Sequence, residues 1–63
     1  MTFRKGDIVA LPLHLWDGSP MGHTYYMILD TRAHHRYTVL VLEDGGTTTL
    51  DKARLNKFAT KVA

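Results

Sequence analysis

A chain of 63 residues makes one domain, spanning residues 1–63, with a core too small to stand without good packing. Eight Lys and Arg against six Asp and Glu leave a formal charge of +2, far from the dense cationic patch that drives strong nucleic-acid binding. The absence of cysteine excludes a disulfide framework and a thiolate zinc site.

In chain order, Gly6-Asp7 forms a turn leading into a first strand over residues 8–11. Pro12 donates nothing to a ladder, so that strand is expected to end there or to lie at an edge. Residues 13–23 contain Asp17-Gly18-Ser19-Pro20 and Gly22 and read as a long loop. Residues 24–30 are a second strand, rich in aromatic and branched side chains. A short polar connection over 31–36 leads to a third strand over 37–42. Asp44-Gly45-Gly46 offers the positive φ that a primed hairpin turn requires. The β-branched run Thr47–Thr49 then returns within a fourth strand over 47–50. Residues 51–56 suit a single helical turn with an acidic start. Residues 57–62 close as a fifth strand with Phe58, Thr60 and Val62 on one face. The fold class is all-β. The Met1-Thr-Phe-Arg-Lys5 start lacks a signal-peptide h-region, and no apolar run reaches the roughly 20 residues of a membrane span. A cytoplasmic protein with no membrane contact is expected.

Five strands joined by a long loop, a short loop, a tight hairpin and one helical turn resemble the SH3-like small β-barrel. Gly6-Asp7-Ile8-Val9, Met27-Ile28-Leu29-Asp30 and the hairpin from Tyr37 to Gly45 carry the likeness, with Leu50 and Leu55 flanking the helical turn. The likeness is nearest to the short stand-alone barrels of bacteriophage and bacterial genomes. It implies a non-catalytic binding or adaptor protein, a phage-type accessory part, placed in the host cytoplasm or the virion. Ala10-Leu-Pro-Leu-His14 stands where the signalling barrels have Ala-Leu-Tyr-Asp-Tyr, so proline-peptide binding is not implied. The start also loosely resembles the KOW module, yet residues 11–23 hold no Lys or Arg where that module is basic. Plasmid-borne dihydrofolate reductases build a shared pore from four such barrels. Their Val-Gln-Ile-Tyr signature is missing here, with Thr48-Thr49-Leu50-Asp51 in its place.

The strands hold more apolar side chains than one interior needs. With Tyr37, Val39 and Val41 inward, alternation turns Leu40 and Leu42 outward, and Met27 and Leu29 lie opposite Tyr26 and Ile28. Either Leu13, Leu15 and Trp16 of the first loop cover this second set, or it is an interface. Met27, Leu40 and Leu42 are therefore candidates for self-association into a homo-oligomer.

A second candidate surface joins the first two loops. Trp16, Arg32, His34, His35, Arg36 and Tyr37 place aromatics beside cations, suited to a carboxylate-bearing protein ligand or to a stacked phosphate backbone. The nucleic-acid alternative uses Arg32, Arg36, Lys52, Arg54 and Lys57. Four histidines raise metal binding, but a zinc site needs three or four converging ligands, and adjacent His34 and His35 point apart in an extended segment. No metal and no cofactor are expected. No nucleophile stands in a Gly-x-Ser-x-Gly frame, and the carboxylates sit mostly at turns. Catalysis is not expected, and the enzyme alternative is an oligomer with a shared central pore.

Overall fold

The computed structural model describes residues 2–14 and 17–63. Its strands are β1 (Ile8–His14), β2 (Pro20–Asp30), β3 (Arg36–Val41), β4 (Thr47–Asp51) and β5 (Thr60–Lys61), with helix α1 (Lys52–Phe58) between the last two. All pairings are antiparallel, in the order β4-β3-β2-β1-β5. Among the described residues β4 and β5 do not pair with each other, so the sheet is open.

The expected first loop is shorter than the turn residues suggest. Residues 20–23 belong to β2, and Pro20, Gly22 and His23 pair with β1, with Pro12 opposite His23 and His14 opposite Pro20. Two features permit this: a register shift between Leu13 and His14, and Gly22 at φ +104°. Pro12 does not end β1. β5 reaches only Val9 and Ala10, so from Leu11 onward β1 is an edge, where proline is accommodated.

The β3–β4 connection is also not a two-residue primed turn. The Gly45 amide donates to the Val41 carbonyl at 2.8 Å, and Val41 donates back to Gly46 at 2.7 Å, enclosing residues 42–45. Only Gly45 takes a positive φ, +77°, and Asp44 Oδ1 accepts the Gly46 amide at 2.8 Å. The loop uses one left-handed residue and an Asx bond in place of two successive positive angles.

Downstream, the single helical turn becomes a seven-residue helix that takes in Lys57 and Phe58, both expected in the fifth strand. Asp51 caps it by accepting the Arg54 amide, and Lys, Ala, Arg and Leu favour continuation. β5 is reduced to two residues.

Alternation decides which side of each strand is buried. Val9 and Leu11 of β1, Ile28 of β2, and Tyr37 and Val39 of β3 form one cluster with Phe3 and Leu55. Tyr26, Leu50 and Ala59 pack against it. Val41 is only half-buried, at the open end of β3. Within β2 the core side is therefore that of Tyr26 and Ile28. Leu55, wholly buried, is the one helix side chain in the cluster, and it joins α1 to the sheet. Each such side chain contributes about 1.5–3 kcal/mol by leaving water.

Candidate protein-contact surface

On the opposite side of the sheet, register brings a second apolar set into line. Met27 is paired with Ile8 on one side and with Leu40 on the other. Tyr25 is paired with Ala10, and the Leu42 amide donates to the Tyr25 carbonyl at 3.1 Å, which sets those two side by side. Ile8, Ala10, Tyr25, Met27 and Leu40 thus occupy adjacent places on three neighbouring strands, with Leu42 just past the end of β3, and none is charged. Cross-strand pairs of this kind reinforce one another and hold their side chains in fixed positions. Tyr25 and Leu42 remain 47% and 40% exposed. Beside them a groove of ≈ 400 Å³ is lined by His23, Thr24, Tyr25, Leu42 and Glu43, with the His23 and Tyr25 rings 6.5 Å apart.

Leu13, expected to cover this set, lies in β1 on the Val9 and Leu11 side and so faces away from it. Leu15 and Trp16, the other expected cover, lie outside the described residues. Trp16 is also the first member of the expected ligand face.

The rest of that ligand face is divided by the structure. Tyr37 is 2% exposed and belongs to the core, so its ring offers no ligand surface. Its oxygen donates to Asn56 Oδ1 at 2.7 Å and accepts the Phe3 amide at 3.2 Å. Arg32 turns back on Asp30, with Nε 3.1 Å from Oδ1 and Nη2 3.1 Å from Oδ2. This contact holds the Asp30 carboxyl below its ordinary value and raises Arg32. At the first connection the Ser19 amide, donating to Asp17 Oδ1 at 2.9 Å, holds Asp17 below its ordinary value as well. His34 and His35 do not point apart. Their rings meet edge to face at 4.3 Å, because residues 33–35 bend and do not extend. Among the described residues no three His, Asp or Glu side chains converge as a metal site.

The cations of the nucleic-acid alternative are likewise spread over different surroundings. Lys52 is half-buried, its Nζ donating to the Thr31 carbonyl at 2.7 Å and standing 5.3 Å from the centre of the Tyr37 ring. Lys57 lies over the Phe58 ring at 5.2 Å. Arg36 reaches Thr49 Oγ1 at 3.4 Å. Arg54 borders a smaller groove of ≈ 240 Å³ with Leu11, Pro12, His14 and Phe58. Arg36, Arg54 and Lys57 keep exposed charge, whereas Arg32 and Lys52 are engaged locally. Sequence reasoning missed His23, Tyr25 and Glu43 as neighbours of Leu42, because it treated residue 23 as loop. The alternation of His23, Tyr25 and Met27 was the signal that would have found them.

No helix among the described residues is long and apolar enough to cross a membrane. The chain matches no family model, no curated protein and no solved structure.

Proposed function

We propose that this chain is a non-catalytic protein-binding domain, an adaptor or accessory protein that works through the outer face of β1, β2 and β3. The observation that carries the reading is the Met27–Leu40 pair, flanked by Tyr25 and Leu42, an uncharged patch at the middle of that face. Apolar side chains held in register outside a core are the composition of an interface centre, where charge is depleted and aromatics are enriched. The strand order, with a helix before β5 and β5 returning to β1, supports kinship with SH3-like barrels. From that kinship we also propose a phage-type accessory role.

The test is capture of protein partners from cells producing the chain, using the wild type beside Leu42→Asp and Arg54→Ala, Arg54 bordering a different groove. The proposal expects Leu42→Asp to lose the captured proteins and Arg54→Ala to retain most of them. Nucleic-acid binding predicts the reverse, with a complex that weakens steeply as salt rises. Retention by Leu42→Asp together with loss by Arg54→Ala would overturn the proposed surface.

A further inference from the structure

We infer that the occupant of this face is a second copy of the same chain, laid antiparallel across it about a two-fold axis along the Met27–Leu40 pair. The inference rests on the protein-binding reading of the face and names its partner.

The argument is one of charge along β3. At one end of the strand stands Arg36, exposed, with no carboxylate within ion-pair distance among the described residues. Its register partner Asp51 commits Oδ2 to the Arg54 amide as the helix cap. Beyond the other end stand Glu43 and Asp44, both exposed and without a cationic partner among the described residues. Leu40 lies midway, four residues from Arg36 and four from Asp44, or about 13 Å of strand on the Arg36 side. Along β3 the charge left unpaired among the described residues therefore runs from positive at Arg36, through apolar Leu40, to negative at Glu43 and Asp44, while Asp30 on the same face is paired with Arg32.

A two-fold rotation about the line from Met27 to Leu40 reverses the strand direction of the second copy. Leu40 then meets Leu40 of the second copy, and Met27 meets Met27 of the second copy. Arg36 of each copy comes over the Glu43–Asp44 end of the other. Two such contacts form at once, because a two-fold interface is self-complementary. A stacked pair of sheets would sit about 10 Å apart with strands within about 30° of antiparallel. Tyr25 and Leu42 lie on the Glu43 side of the axis and become the flank of the apolar centre.

The size of the face sets the strength. Three strands about 4.8 Å apart and about 20 Å long give roughly 300–400 Å² per copy, below the standard interface of about 800 Å² per partner. The dimer is accordingly weak and populated only at high concentration.

Sedimentation equilibrium on the purified chain, from micromolar to millimolar, reads this directly. The expected mass rises from 7.1 kDa toward twice that value. Leu42→Asp should weaken association by about tenfold or more, since it places a charge in the buried flank. Arg36→Glu alone and Glu43→Arg alone should each weaken it, and the double variant carrying both should recover it, because the exchanged charges meet again across the axis. That recovery is a property only of self-pairing. Amide spectra confirm that each variant keeps the fold. A strict monomer to millimolar overturns the inference while leaving capture of other proteins intact. A dimer insensitive to Leu42→Asp, or a double variant no better than its parents, overturns the axis.

Discussion

Tyr37 and Asn56 are joined by a 2.7 Å hydrogen bond that ties the middle of the sheet to the helix. The same oxygen accepts the Phe3 amide, and the Phe3 and Tyr37 rings meet edge to face with centroids 6.1 Å apart. Three separated parts of the chain therefore converge on one phenol. A core this small gains much of its definition from such a junction, because a satisfied buried polar group admits few alternative packings.

Tyr37→Phe keeps the ring and removes both contacts. The Phe3 amide and Asn56 Oδ1 lose their partner, at a cost of about 1–3 kcal/mol. For a domain of this size the melting temperature should fall by roughly 4–8 °C per kcal/mol. Thermal and urea unfolding should agree on the loss. A variant as stable as the wild type would show that water satisfies the Phe3 amide instead.

The junction also marks what the sequence made legible and what it did not. Tyr37, Val39, Leu40 and Leu42 could be sorted between two faces by alternation alone, and register then showed Leu40 beside Met27. Boundaries were harder where local chemistry and tertiary pairing disagree. Pro12, Pro20 and Gly22 are turn formers, yet pairing between β1 and β2 carries all three into strands. Phe58 and Lys57 fit a strand by alternation, but the Asp51 cap and the helix-favouring residues after it extend α1 through both. The contacts of Asn56 and Lys52 with distant residues have no local signature. They arise only when the helix docks.

Leu55→Ala tests the docking itself. Leu55 is wholly buried and is the only α1 side chain in the core cluster, so its truncation should cost about 2–5 kcal/mol. That is most of the stability expected of a small domain, and the variant should be largely unfolded by circular dichroism and amide dispersion at 25 °C. Phe58→Ala is the control. Phe58 is 53% exposed, and its removal should cost less than about 1 kcal/mol. Equal losses for the two would mean that the helix is held mainly through its last turn.

Gly45→Ala separates backbone strain from crowding. An added Cβ at Gly45 meets no atom within 4 Å, so the whole penalty is the left-handed φ of +77°. That penalty is about 1–2 kcal/mol, and Gly45→Asn should recover part of it. Urea midpoints of the three proteins should rank glycine, asparagine, alanine. An alanine variant at the wild-type midpoint would mean that the hairpin loop had shifted to another turn.

Asp30 and Arg32 give the prediction in pH. The guanidinium, donating to both carboxylate oxygens, holds Asp30 below its ordinary value of 3.8. A carboxylate whose value is lower in the folded chain adds stability that is complete above the unfolded value. The contribution is lost as pH falls through the folded value, so the window lies at and below 3.8. Its size is small, because the Arg32 side chain is 91% exposed and the pair is screened by salt. The measurement is a carboxyl carbon titration by NMR, in the wild type and in Arg32→Gln. The Asp30 midpoint should lie below 3.8 in the wild type and move up in the variant, with the remaining depression due to the Arg32 backbone amide, which also donates to Asp30. High salt should move the wild-type midpoint in the same direction. If Arg32→Gln leaves it in place, the backbone amide and not the guanidinium sets the titration.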